Sequence, residues 1–313
     1  MRYRHLGKSG LRVSKIGLGG WLTLGGTVDE KLSILMIGKA FEMGVNLFDL
    51  ADVYSEGQAE VVLGKAARDL PRDQLVVATK VFGRMHPGPM GAGLSKKHII
   101  EACHASLRRL QMDYIDLYQF HSFDPDTPLE ESLEALEILV RQGKVLYVGC
   151  SNFNSEQLSA AVELSINNNL PWFISSQPCY NLLERDAEEA LFPACKKLGV
   201  GNIVYSPLAH GVLSGKYLKG RQIPAASRSK TNGGKFMYRY LTDENLERTA
   251  QLKNLADKLG YSLVQLSLAW ILRRPEVSSA IVGATALKQL EHNLSAGDIS
   301  LTKDEIAQIE ACL

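Results

Sequence analysis

No run of 18 apolar residues occurs in this sequence, so none of it is long enough to cross a bilayer as a helix. The opening MRYRHLGKSGLRVSKIGLGG carries charges and glycines where a secretory leader needs an apolar stretch. An excess of one charge is also missing. The 35 Lys and Arg against 34 Asp and Glu leave a net charge of +1, which offers no overall field to a polyanion and disfavours nucleic acid as a partner. Cysteine is scarce: Cys103, Cys150, Cys179, Cys195 and Cys312 are odd in number and scattered, so they build no disulfide framework, and none is spaced for zinc. These absences point to reduced thiols, a cytoplasmic location and no membrane insertion.

Two phosphate-binding motifs are approached and not reached. Gly17, Gly19 and Gly20 begin like a dinucleotide fingerprint, but the third glycine would fall at Leu22. The stretch from Gly211 to Lys216 is one residue short of a P-loop, and Tyr217 stands where Ser or Thr would meet magnesium.

What is present is ordinary globular material, 45% hydrophobic and 22% charged over 313 residues. That length suits two domains, or one α/β barrel of about 250 residues with insertions. Segments RYRHL and LRVSKI flank the turn Gly7-Lys8-Ser9-Gly10, which predicts a small β-hairpin. After it, β-prone runs at 15–20, 45–50, 74–80, 114–120, 144–150, 172–177, 201–206 and 279–283 alternate with helix-like stretches. In one of these, Leu129, Leu133, Leu136 and Val140 recur at helical spacing; Asn154 and Ser155 with Gln157 read as the N-cap of another, over 156–166. Eight strand–helix units predict an α/β fold of the (β/α)8 type, a TIM barrel. The expected form is one domain over residues 1–313, with an N-terminal β-hairpin and long loops at the C-terminal face. A doubly wound sheet is the competitor, and it usually carries the glycine fingerprint this chain lacks. Segments 82–95 and roughly 207–241 stand outside the repeat and are long enough to be functional loops.

In such a barrel the C-terminal strand ends converge on one mouth. There the sequence places Asp49 with Tyr54 five residues on, then Lys80, His121, Ser151-Asn152, Gln177 and Tyr205-Ser206. Taken singly these have bland readings: a lysine after a strand is usually solvated, and a lone histidine is usually structural. Asn152 and Gln177 serve equally well as turn-capping or core amides, and Arg228 as an exposed cation. Trp21 and Phe82 suit either the wall of a substrate pocket or barrel packing, while Met85, His86 and Met90 lie in a loop that would shape access. The joint placement carries more weight, since acid-competent side chains on successive strands would share one pocket.

The ordered segments LFDLADVYSEGQAE, VATK, LYQFH, YVGCSNF and YSPLAHGVLSGKY resemble the motifs of the aldo-keto reductases. The likeness runs from LGKSGLRVS to VGATALKQLEHN. It comes closest to the branch holding the β subunits of voltage-gated potassium channels and their microbial relatives. The resemblance implies a catalytic tetrad of Asp49, Tyr54, Lys80 and His121, NADP(H) as cofactor, a small carbonyl substrate and no metal. Tyr54 would give a proton to the carbonyl oxygen as hydride reaches its carbon. Lys80, held by Asp49, would ease that proton loss, and His121 would orient the carbonyl. It further implies Ser151, Asn152 and Gln177 on the nicotinamide carboxamide, Tyr205 against its ring, and Gly20, Trp21 and Asp49 nearby. Ser206, Leu208, Gly211 and Lys216 would follow the pyrophosphate, and Arg228, Gly283, Thr285, Gln289 and Asn293 the adenosine and its 2′-phosphate. The substrate pocket would comprise Trp21, Tyr54, Phe82 and His121.

The branch often has Glu where His292 stands. Its animal channel subunits carry a long N-terminal extension and commonly Asn where His121 stands, whereas here Met1 leads straight into the hairpin. The short N-terminal lead and His121 favour a reductase of aldehydes and some ketones over a nucleotide-sensing channel subunit with little turnover. A barrel that only binds a ligand would leave the tetrad unexplained. A homo-oligomer is allowed, although no interface is legible in the sequence.

Overall fold

The computed structural model describes residues 1–218, 223 and 232–313. The expected hairpin forms from β1 (Tyr3–His5) and β2 (Arg12–Ser14), paired antiparallel. Eight parallel strands follow: β3 (Ile16–Gly19), β4 (Leu47–Asp49), β5 (Val76–Val81), β6 (Ile115–Phe120), β7 (Val145–Ser151), β8 (Ser175–Gln177), β9 (Gly201–Val204) and β10 (Val277–Val282). They pair in chain order and β10 closes on β3, so the sheet is a closed (β/α)8 barrel and not a doubly wound sheet. Closure removes both sheet edges.

Helices cover the outside: α1 (Glu30–Glu42), α2 (Gln58–Ala67), α3 (Lys96–Leu110), α4 (Leu129–Arg141), α5 (Ser155–Asn167) and α6 (Leu191–Leu198) each link consecutive strands. Two, α7 (Asp243–Lys258) and α8 (Leu263–Leu272), lie between β9 and β10, while α9 (Leu287–Ser295) and α10 (Lys303–Glu310) close the chain. The cap read at Asn154 is a full capping box: Asn154 accepts from the Gln157 N–H, and Gln157 returns the bond to the Asn154 N–H. In α4, Leu133 and Leu136 are fully buried and Leu129 and Val140 pack beside them. None of the helices among the described residues is long and apolar enough to cross a membrane.

Strand alternation divides the core. Leu47, Val76, Ala78, Leu117, Ile203 and Ile281 fill the barrel interior, joined by Leu6 and Val13 from the hairpin. The hairpin seals the end where strands begin: the Lys8 N–H donates to Gly199 O at 2.8 Å, and Ser278 Oγ donates to His5 O at 3.0 Å. The glycines of β3 serve this packing. A Cβ on Gly19 would lie 2.4 Å from Ile281 Cγ2, so the residues that resembled half a fingerprint instead leave room for a neighbouring strand's side chain.

Several strands are shorter than the runs that predict them, among them those at 15–20, 45–50, 172–177 and 201–206. The run at 201–206 stops as a strand at Val204, because Ser206 turns left-handed at φ 51°. The run at 172–177 pairs only from Ser175, since Trp172 is more than half exposed and lies outside the sheet. Segment 207–241 contains short 3₁₀ turns at Ala209–Ser214, Asn232–Phe236 and Tyr238–Tyr240.

Candidate active site

Parallel register brings the polar strand ends to one level: Asp49 pairs with Ala78, Lys80 with Gln119 and Ser151 with Gln177. Lys80 is completely buried, and its Nζ donates to Asp49 Oδ2 at 2.7 Å, to Leu50 O at 2.6 Å and to Tyr54 OH at 3.5 Å. A buried ammonium is costly unless its hydrogens find acceptors, and here all three do. Tyr54 opens a turn, Tyr54–Gly57, in which Ser55 and Glu56 adopt left-handed φ of 50° and 55°. Its ring meets His121 edge to face, with centroids 5.7 Å apart. Asp49, Tyr54, Lys80 and His121 are thus gathered in one contact set.

Their environment fixes their charge. Burial raises the Tyr54 phenol well above its ordinary value, the Asp49 carboxylate raises it further and so does Asp52 when it is ionised, so Tyr54 keeps its proton. Burial lowers the Lys80 ammonium, and Asp49 opposes that. His121 is pushed down to about 3, first by burial and then by the Lys80 charge, so its ring is a neutral donor and acceptor across the physiological range.

Beside this set runs a chain of amides and hydroxyls. Asn152, left-handed at φ 57°, donates from Nδ2 to His121 O at 2.9 Å and to Ser151 Oγ at 3.1 Å, and accepts from Tyr205 OH at 2.8 Å. Ser151 Oγ donates to Gln177 O at 2.8 Å, and Gln177 Nε2 donates to Asp49 Oδ1 at 2.7 Å. Gly20 borders the same mouth, its N–H donating to Asp49 O at 2.9 Å.

A model of the Aldo/keto reductase family matches residues 15–313. The chain belongs to the aldo/keto reductase family. This aldo/keto reductase is 41% identical, over 99% of its length and 96% of the relative's, to a "Probable voltage-gated potassium channel subunit beta" of Oryza sativa subsp. japonica. It is 38% identical, over 99% of its length and 92% of the relative's, to the "L-glyceraldehyde 3-phosphate reductase" of Escherichia coli strain K12. A "Putative voltage-gated potassium channel subunit beta" of Schizosaccharomyces pombe is also 38% identical, over 99% and 93% of the two chains. Members of this family are oxidoreductases that generally use NADH or NADPH.

Of the other residues singled out in this reductase, Thr285 and Gln289 form one contact, with the Thr285 N–H and Oγ1 donating to Gln289 Oε1 at 2.9 and 3.1 Å. Asn293 Nδ2 donates to Gly283 O at 3.4 Å. His292 lies against Ser262 Oγ at 2.7 Å. Ser206, Leu208, Gly211 and Lys216 lie along the segment after β9, where Gly211 adopts φ 99°. Arg228 lies outside the described residues. Phe82 packs against the core at the end of β5, and Asp124 Oδ2 accepts the Leu94 N–H at 2.7 Å where loop 82–95 enters α3.

Two neighbours of Trp21 were not foreseen. Phe236 meets its ring edge to face at 4.9 Å, and His210 lies 5.3 Å away. Both belong to the segment already marked as a functional loop. What the sequence does not show is which of its side chains fold back onto Trp21, because that contact spans about two thirds of the chain.

Proposed function

We propose that this protein is a cytoplasmic, NADPH-dependent reductase of aldehydes and some ketones, working as one domain over residues 1–313. The observation that carries this reading is the contact set around Lys80: a buried lysine held by Asp49, within 3.5 Å of the Tyr54 hydroxyl, which in turn packs on His121. A reduced nicotinamide, when bound, supplies the hydride.

The chain's own residues handle the proton. Tyr54 is protonated at neutral pH and acts as donor, transferring the hydrogen of its hydroxyl to the carbonyl oxygen as negative charge gathers there. The Lys80 ammonium offsets the phenolate left behind, and Asp49 keeps that ammonium charged and in place. Neutral His121 has one N–H to give, which orients the carbonyl oxygen toward Tyr54. Trp21 and Phe82 supply apolar surface to the carbon skeleton.

The residues present suit NADPH. Gln177 commits its Nε2 to Asp49 and leaves Oε1 without a partner among the described residues, a fit for the amide hydrogens of a carboxamide. Ser151 and Asn152 complete that rim, with Tyr205 beside the ring. Gly211 at φ 99° permits close backbone approach to a pyrophosphate alongside Ser206, Leu208 and Lys216. Thr285, Gln289, Asn293 and Gly283, with Arg228, would take the adenosine and its 2′-phosphate.

The reductase relative from Escherichia coli makes a short phosphorylated hydroxyaldehyde the first substrate to try. A second reading, a cofactor-binding channel subunit with little turnover, is favoured by the names of the rice and fission yeast relatives. A screen of small aldehydes, glyceraldehyde 3-phosphate among them, followed by nicotinamide absorbance with NADPH separates the two. Turnover on any of them supports the reductase, and inertness toward all supports the accessory subunit.

A further inference from the structure

Asp52 lies between Asp49 and Tyr54 in the chain and is 1% exposed, yet among the described residues no side chain donates to either of its carboxyl oxygens. Its backbone N–H donates to Lys80 O at 3.2 Å, tying it to the strand that carries the lysine. A second buried carboxyl group lies nearby. Glu60 of α2 is 0% exposed and fully engaged: Thr79 Oγ1 donates to Oε1 at 2.6 Å, and Arg109 Nε of α3 donates to Oε2 at 2.6 Å. Arg109 spends a further hydrogen on Ser106 Oγ at 3.1 Å. Arg109 is thus committed to Glu60, and Asp52 accepts from no side chain among the described residues. A buried carboxylate lacking a partner costs more than a buried carboxylic acid, so the unpartnered member keeps a proton.

We propose that Asp52 is a positioning residue for the Tyr54–Lys80 pair: buried in the connection that carries Tyr54 and tied by its backbone to Lys80, it is a neutral acid at low pH, and its ionisation as pH rises opposes proton donation by Tyr54. The proposal rests on Tyr54 being the proton donor. No proton passes from Asp52 to substrate. Donation leaves a phenolate, and a second buried negative charge beside it makes that phenolate harder to form.

The charged or titratable groups that interact with Asp52 come from several elements: Glu60 from α2, Arg109 from α3, Lys80 from β5, Tyr118 from β6 and Tyr54 from its own connection. Cys103 of α3 faces Glu60. Burial and the Glu60 charge push the Asp52 carboxyl up to about 7, against the pull of the Val53 backbone, Arg109 and Lys80. Tyr54 responds to the Asp52 charge in the direction the proposal needs.

The test compares wild type with Asp52→Asn, which stays neutral at every pH, and with Glu60→Gln, which frees Arg109 and removes the repelling charge. The first readout is the single-turnover oxidation of bound NADPH by excess glyceraldehyde between pH 5.5 and 8.5. Wild type should slow on the order of tenfold as Asp52 ionises and its charge disfavours the Tyr54 phenolate. Asp52→Asn should stay flat over that window, and Glu60→Gln should shift the inflection to lower pH. The second readout needs no cofactor. A carboxyl whose pKa is raised on folding destabilises the fold progressively from its unfolded value of 3.8 up to about 7, so the stability advantage of Asp52→Asn should grow across that window and then level off. A constant gap, or matching pH profiles in all three proteins, overturns the proposal. Inertness of wild type toward every carbonyl overturns the reductase reading and with it the Tyr54 half of this one. The stability gap alone sustains or overturns the buried proton.

Discussion

Gln177 reaches across the barrel mouth to Asp49: its Nε2 donates to Oδ1 at 2.7 Å while the Lys80 ammonium holds Oδ2 at the same distance. The two residues lie 128 positions apart and come from strands on opposite sides of the ring. One carboxylate thereby joins the amide proposed for the nicotinamide rim to the lysine proposed to govern the proton donor. On that proposal, cofactor seating and proton transfer would be coupled through Asp49.

Gln177→Leu should break that bridge and leave Oδ1 of a 3% exposed Asp49 without a donor. The loss should be about 1–3 kcal/mol of folding stability, read by urea denaturation. Cofactor affinity should fall with it. Wild-type stability in the variant would mean that the bond contributes nothing to the fold.

Cofactor choice has its own test. Thr285 and Gln289 are already joined through Gln289 Oε1, which leaves the Gln289 amide hydrogens to donate to a 2′-phosphate. Thr285→Val with Gln289→Leu should weaken NADPH binding on the order of tenfold and leave NADH nearly unchanged, as measured by fluorescence titration. Equal wild-type affinity for the two nucleotides would defeat the NADPH assignment.

The parts of this molecule that are local in the chain are legible in its sequence. The hairpin around Gly7-Lys8-Ser9-Gly10, the Asn154–Gln157 capping box and the order of the eight strands each depend on neighbouring residues. The polar strand ends follow from that order. The Gln177–Asp49 bond, the packing of Phe236 on Trp21 and the Glu60–Arg109 pair depend instead on barrel closure, which sequence spacing does not encode. Glu60 did leave a trace, as a lone acid among the apolar residues of α2. Asp52 left one too, an acid between a strand end and Tyr54. Neither trace names its partner.

Tyr54 is the phenol within reach of Lys80, so Tyr54→Phe removes the proposed proton while preserving the ring that packs on His121. Carbonyl reduction should drop by about 10²–10⁴, the usual worth of general acid catalysis, with NADPH affinity intact. Retention of most wild-type activity would remove Tyr54 from the mechanism.

His121 separates the two readings of function, because burial and the Lys80 charge hold its ring neutral, with a folded pKa of about 3. An asparagine here, as the resemblance to animal channel subunits implies for them, also donates a hydrogen bond, but with a shorter side chain and no titrating proton. His121→Asn should therefore slow single-turnover NADPH oxidation on the order of tenfold to a hundredfold, less than loss of an oxyanion donor outright, without releasing the nucleotide. A stability signature should accompany it. An unfolded histidine gains its proton near pH 6.5 and the folded one does not until about 3, so this residue's contribution to stability is present above pH 6.5 and is lost as the pH falls toward 3. Thermal melts of His121→Asn should accordingly decline less steeply on acidification than those of wild type. Equal turnover with the flatter acid limb would make His121 a buried neutral ring without a part in the reaction. Reduced turnover with the same limb would support a hydrogen-bond donor in the reaction while rejecting the depressed pKa argued for it.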